Sequence, residues 1–382
     1  MRPLSIKCVF LNRISKPNEM NRIFNRFAFA VLALSLLCGQ ARAQFTTTFA
    51  KNASPGQQTG LYYALPQTML QLDFVIRETV CEPGPLSDYA DNYFETEDYV
   101  DYQTTTYELL DVRMSSKTTP DPNATFFVTF TAARGAGKAF FDVLPNGIIR
   151  SVGVVGNKEE NPANYVEKQV VESAISETIH SDNTGFMPLL TAGKTNAQLA
   201  KETVDKIEEI RKAKFYLVSG DVEMAANPET FKAMCAKLDE VEQQYLSLFL
   251  GKRTTREVVR TIYVIPTKET PTQTVAKFSE TEGLTSGTAG SGDAITVQTL
   301  PLNTTAVINA PSQSAVESMS YENKVLYRIP ETAHVKVTYD GRTLIEERQT
   351  VNQLGVIVMA PVANSKLYFD TETGQIVNIR MQ

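Results

Sequence analysis

Histidine and cysteine are scarce in this 382-residue chain, which holds two of the first and four of the second. Zinc sites draw most of their ligands from these two residue types. Neither a Cys-x-x-Cys pair nor a His-Glu-x-x-His motif is present, so catalytic and structural zinc are both disfavoured. A serine or cysteine triad would have to recruit His180 or His334 as its base, and no Gly-x-Ser-x-Gly elbow exists to carry a nucleophile. After residue 43 no segment approaches the ~20 consecutive apolar residues of a membrane-spanning helix. There is no long Lys/Arg run, and the formal net charge is −6, a poor match for nucleic acid or an anionic lipid surface. The strands also lack the uniform ten-residue series of an outer-membrane barrel, and the chain ends in Met381-Gln382 without a terminal aromatic residue. No catalytic residue, metal ligand or cofactor is assigned.

What the first 43 residues do contain is a leader and an export signal, with translation starting at Met20. Arg22 and Arg26 form a positive n-region, residues 27–37 an apolar run, and Ala41-Arg42-Ala43 a small-x-small cleavage site that leaves Gln44 first. Lipidation at Cys38 is the alternative, opposed by Leu37 where such signals carry a small side chain. The leader holds seven basic residues and one acidic one, so residues 44–382 carry 30 basic and 42 acidic side chains, a net −12. The mature protein is therefore expected in the periplasm or on the surface of a Gram-negative cell, soluble and strongly acidic. Cys8 and Cys38 leave with the leader. Cys81 and Cys235 remain as a candidate disulfide in an oxidising compartment, or as two buried thiols.

Hydrophobic period predicts an α+β fold: two β-rich domains, residues 44–156 and 252–382, bracketing a central αα-hairpin at 194–251. Residues 157–193 are polar and read as a linker or long loop. In the first domain, residues 61–65 and 70–80 are strand candidates around a turn at Pro66. Residues 106–115 and 125–133 flank Thr119-Pro120-Asp121-Pro122-Asn123, a dense turn signal. Asn146-Gly147 and Asp340-Gly341 mark hairpins. Thr195 with Gln198 fits a capping box, after which Ala200, Val204, Ile207 and Ile210 keep the helical period. Gly220 reads as the stop of that helix, and Asn227-Pro228 as the start of a second whose stripe runs from Phe231 to Phe249. In the second domain, residues 257–265, 275–278, 294–300, 325–329, 334–339, 343–347, 355–359, 366–369 and 375–380 are strand candidates.

Two further patterns invite chemistry. Asp88, Asp91, Glu95, Glu97, Asp98 and Asp101 interleave with Tyr89, Tyr93, Phe94, Tyr99 and Tyr102. Clustered carboxylates suit Ca²⁺ or the acid pair of a glycoside hydrolase, but the spacing fits no EF-hand loop, and an amphipathic helix with solvated acids accounts for it. Residues 287–293, Gly-Thr-Ala-Gly-Ser-Gly-Asp, lack the Lys-Ser/Thr of a phosphate-binding loop and read as a flexible loop.

Several segments resemble the secreted Gram-negative proteins grouped as domain of unknown function 4831. They include Gly60-Leu61-Tyr62-Tyr63-Ala64-Leu65-Pro66, Ile207-Glu208-Glu209-Ile210-Arg211, Gly220-Asp221 and residues 245–252. Further on come residues 278–284, Tyr327-Arg328-Ile329-Pro330 and Gln353-Leu354-Gly355. The resemblance implies an exported protein and transfers no functional residue. The expectation is a non-catalytic binding or scaffold protein of the cell envelope, its partner an envelope protein or glycan. The alternatives are a carboxylate-based glycan hydrolase and an adhesin or surface-assembly subunit.

Overall fold

The computed structural model describes residues 45–53, 59–130, 138–155, 185–189, 193–219, 228–362 and 365–381. Residues 1–43, where an export signal is expected, most of the polar 157–193 stretch, His180 and the cap positions Gly220 and Asn227 lie outside the described residues.

Strands dominate. The N-terminal part contains β1 (Phe45–Phe49), β2 (Gly60–Glu82), the short helix α1 (Ala90–Phe94), β3 (Thr104–Phe130), β4 (Lys138–Val143) and β5 (Ile149–Val155). Two long helices follow, α2 (Asn196–Ser219) and α3 (Pro228–Leu250). Then come β6 (Lys252–Val264), β7 (Thr272–Ser279), β8 (Gly283–Ser286) and β9 (Asp293–Pro301). After the short helix α4 (Gln313–Ser318) the chain closes with β10 (Tyr321–Glu322), β11 (Lys324–Tyr339), β12 (Arg342–Pro361), β13 (Ser365–Phe369) and β14 (Ile376–Met381).

These strands form three sheets, in the orders β10-β1-β3-β2-β6, β12-β11-β9-β7-β8 and β14-β13-β5-β4. The first joins β1, β2 and β3 to β6 and β10, and the third joins β4 and β5 to β13 and β14. Two of the three sheets thus draw strands from both β-rich segments. The expected division at 44–156 and 252–382 does not separate sheets, because strand pairing between distant segments is invisible to local periodicity.

Long strands also replace several expected breaks. Residues 61–65 and 70–80 are one strand, β2, and the Pro-Asp-Pro-Asn turn signal lies inside β3. Proline explains both the signal and its outcome. Pro66 and Pro120 face each other at a register shift between Ala64 and Pro66, where a missing N–H costs no ladder bond. Four residues of β3, 121–124, bulge out there while the pairing resumes on either side. Pro330 does the same in β11, where the register with β12 shifts between Ile329 and Glu331. The two hairpin signals held: Gly147 has φ +90°, and Asp340 and Gly341 have φ +46° and +69°, the left-handed pair of a type I′ turn.

Two apolar cores lie along the long strands. In one, alternate β2 residues Leu70, Leu72, Phe74 and Ile76 pack on Phe278, Ile295, Val335 and Val337 of the second sheet. In the other, Phe45, Tyr63, Phe126 and Val128 pack on Val152, Leu367 and Phe369 of the third. The helices form a third cluster at the far end of the β2–β3 pair, where Leu199, Ile207, Leu248 and Phe249 bury Leu86 and Ala90. Thr195 and Gln198 cap α2 reciprocally, backbone N–H to side-chain oxygen in each direction. Ion pairs from Arg211 and Lys214 of α2 to Glu242 of α3 hold the helices side by side. Their hydrogen bonds, Lys214 first and then Arg211, keep the Glu242 carboxyl below its ordinary range.

Candidate functional site

Where the two cores meet, the long strands change register and the backbone ladder is interrupted. Side chains take over its bonds. Thr68 of β2 donates its N–H to Gln353 Oε1, and Gln353 Nε2 donates to the carbonyls of Thr68 and Pro266, all at 2.9 Å. The Gln353 amide thus behaves as a piece of strand joining two sheets. Tyr63 does likewise: its hydroxyl donates to Leu326 O at 3.2 Å and accepts from Leu326 N at 3.1 Å. Burial pushes the Tyr63 phenol far above its ordinary pKa.

Arg328 is the centre of this waist. It is 5% exposed, donates to Pro66 O at 2.6 Å and to Asp121 Oδ2 at 2.8 Å, and pairs with an Asp121 that is equally buried. Asp121 Oδ1 accepts in turn from Asn123 N. Burial pulls the guanidinium pKa down, against the pull of Asp121. The turn between β13 and β14 closes over the pair: Gly374, at φ +80°, offers its carbonyl to Arg328 N, and a Cβ on it would meet the Pro66 ring at 2.9 Å.

Beside the waist opens a cleft of about 510 Å³, within the 300–1,000 Å³ usual for a ligand site. Its floor includes Glu331 and Leu354; one rim carries Thr267 and Lys268 and the other Asn303 and Ile308. Glu331 is 2% exposed. Its carboxylate accepts from the N–H and hydroxyl of Thr304, the N–H and hydroxyl of Thr305, and Thr332 N. Burial alone would raise its pKa; the hydrogen bonds of Thr304 and Thr305 reverse that and bring it to about 2. The 302–310 segment that forms one wall is thereby tied to β11. The opposite rim is tied as well, Lys268 Nζ donating to Gly355 O at 3.1 Å. A side chain at Gly355 would sit 2.0 Å from Ile329 O, so only glycine lets β11 and β12 approach here. The cleft is held in shape from both sides, and Glu331, with both carboxylate oxygens accepting hydrogen bonds, is no free base.

The residues singled out in the sequence are placed elsewhere. Cys81 and Cys235 are free thiols. Cys81 pairs in register with Arg253, next to the C-terminal end of α3, whereas Cys235 lies fifteen residues before that end. At 1.5 Å per residue this is about 22 Å along the helix, far beyond the ~7 Å Cα separation a disulfide tolerates. The candidate disulfide is not formed. In the acidic cluster, Tyr89, Phe94 and Tyr99 pack on the helix core, Asp98 pairs with Arg253 and Tyr99 donates to Asp91. Among the described residues no group of His, Cys, Asp and Glu is placed to hold a metal ion. Glu78 and Glu282 both line a cleft of about 100 Å³. Glu78 is engaged by Arg256 and Tyr107, and the Ser291 N–H holds the Glu282 carboxyl low, so Glu282 does not stand ready as the protonated acid of glycoside hydrolysis. The glycine-rich stretch is the turn between β8 and β9, with Gly287, Gly290 and Gly292 at positive φ. His334 lies on β11 with Nε2 3.3 Å from Glu346.

Sequence reasoning missed Arg328, Asp121, Gln353 and Glu331 as a group. The available signal was proline: Pro66, Pro120 and Pro330 each sit beside one of them. Three of the segments that carry the family resemblance, those ending in Pro66, Pro330 and Gly355, meet at this waist. No helix among the described residues is long and apolar enough to cross a membrane. No curated protein and no solved structure matches the chain. The model of one family, Domain of unknown function (DUF4831), matches residues 59–377, and the chain belongs to that family.

Proposed function

We propose that the protein is an exported, non-catalytic binding or scaffold protein of the cell envelope, and that the cleft beside Glu331 is its ligand seat. The observation that supports this most is the state of Glu331. A buried carboxylate that accepts from five donors stabilises a preformed cavity, and both of its oxygens are already engaged. No aromatic side chain lines the cleft among the described residues, so it offers no stacking platform for a sugar. Its apolar Ile308, Leu354 and Val356 with polar rims at Lys268 and Asn303 suit a segment of a partner protein.

Filling the cleft tests the reading. Tagged parent protein and an Ala306→Trp variant are used to capture partners from solubilised envelope fractions of the native cell. A partner protein recovered with the parent and lost with the variant, at equal thermal stability, is the expected result. No envelope partner, or one retained equally by both, sinks the proposal. Export has its own readout. Protein recovered from the envelope fraction should begin at Gln44 by intact mass, with none of the 1–43 segment present; material still carrying residues 20–43 would show that the signal is not cleaved.

A further inference from the structure

We infer that β14 is an open docking edge, built to take an extended strand of a partner protein whose side chains alternate apolar and acidic. This goes beyond the cleft and uses a different sheet.

β14 pairs only with β13 among the described strands and forms the edge of its sheet. Pairing places Ile379 opposite Leu367 and Met381 opposite Ser365. Leu367 is 2% exposed and faces the core. Residues directly opposite share a face of a sheet, so Ile379 and Met381 stand on the core side too. They are nevertheless 56% and 69% exposed, and Val377, the extra residue at the register shift, 63%. The apolar face of the sheet thus continues one strand beyond the core that covers it.

The other edges are defended in the usual ways, by charge or by shortness. β6 carries Arg253, Arg256 and Arg260, and the outer half of β12 carries Glu346, Glu347 and Arg348. β10 has two residues and β8 four, and β4 holds Asp142, bound by Arg150. β14 has no proline and no charge on its core side.

Its outer face indicates what the occupant carries. Lys366 and Arg380 are direct cross-strand neighbours, and like charges so placed repel. Neither forms an ion pair among the described residues; both lean on the Tyr368 ring, at 4.9 and 5.3 Å. An incoming strand that sets carboxylates beside Arg380 and apolar side chains over Ile379 and Met381 relieves the repulsion, covers the apolar face and completes the ladder. This is β-augmentation, in which main-chain bonds give affinity and alternate side chains specificity.

The test uses fluorescein-labelled peptides of about eight residues, a typical strand length. One alternates Val and Glu, one alternates Val and Lys, and one is the Val-Glu peptide with a central proline. Anisotropy should show saturable binding of the Val-Glu peptide, at least about tenfold weaker binding of the Val-Lys peptide, and loss with proline. Ile379→Lys and Met381→Lys, both at exposed positions, should each weaken Val-Glu binding about tenfold at unchanged melting temperature, whereas Ala306→Trp should leave it intact. Absence of saturable binding, equal binding of both charge types, or full binding by Ile379→Lys overturns the inference. A dimer in sedimentation that Ile379→Lys dissolves, with no peptide bound, would assign the edge to a second copy of the chain instead and overturn it equally.

Discussion

Replacing Arg328 with methionine should lower the unfolding free energy by about 3–5 kcal/mol, the usual cost of removing one partner from a buried ion pair. Methionine roughly matches the aliphatic length of arginine, so the loss is mainly electrostatic. Asp121 is left as a buried charge that keeps, among the described residues, only the Asn123 N–H as donor, and the Pro66 carbonyl loses its 2.6 Å donor. Removing both charges together, Arg328→Met with Asp121→Leu, should recover part of the loss, because the uncompensated carboxylate goes too. Full recovery is not expected: Pro66 O and Asn123 N remain unmatched. Denaturant unfolding of the two single variants and the double variant supplies the thermodynamic cycle. A loss under about 1 kcal/mol for Arg328→Met would place the pair among solvated surface bridges and contradict the burial seen here.

Glu331→Gln should destabilise the protein by about 2–3 kcal/mol at neutral pH and by much less in acid. The carboxyl pKa falls from an ordinary 4.5 to about 2 on folding. A depressed carboxyl stabilises the fold above its unfolded pKa and loses that contribution as pH drops through the folded value. At 1.36 kcal/mol per unit this is roughly 3 kcal/mol, fully present above about pH 5 and gone near pH 2. Glutamine keeps one acceptor oxygen, so the loss falls short of the whole. Unfolding curves for parent and variant should therefore diverge above pH 5 and converge toward pH 2. Parallel curves across that window would show that the charge of Glu331 does not hold the cleft wall. Hydrogen exchange in 302–310 should rise in the variant, since Thr304 and Thr305 lose their shared acceptor.

Local structure was legible wherever one short-range rule acted alone. The Thr195/Gln198 capping box, the C-terminal end of the predicted stripe at Tyr245, Leu248 and Phe249 and the left-handed turns at Gly147 and Asp340-Gly341 depend on neighbours within a few residues, whereas Phe231 at the other end of that stripe is 39% exposed. Turn signals misled where proline had two meanings. Thr119-Pro120-Asp121-Pro122-Asn123 reads as a chain reversal, yet it serves as a bulge in a strand of 27 residues, because Pro66 on the neighbouring strand offers no N–H to be left unpaired. The acidic cluster at 88–101 was legible as an amphipathic surface in part: the spacing of Tyr89, Tyr93 and Phe94 puts all three inward, and Tyr89 and Phe94 are, but Tyr93 is 39% exposed and Tyr99 packs on the core instead.

By itself, the sequence determined that the chain is α+β, that two long helices stand between strand-rich segments, that few histidines and cysteines offer themselves for metal or triad chemistry, and that residues 44–382 carry a net charge of −12. Each of these follows from composition or from a period within one element. Tertiary structure alone decided the rest. Arg328 meets Asp121 across 207 residues of chain, Gln353 meets Thr68 across 285, and Glu331 gathers Thr304 and Thr305 from another connection. It also left Ile379 and Met381 in the open although their pattern is that of a buried strand. The physical reason is the same in each case. A buried charge needs its partner and an apolar face needs its cover, but which distant segment supplies them depends on strand order and register, and these are properties of the assembled sheets.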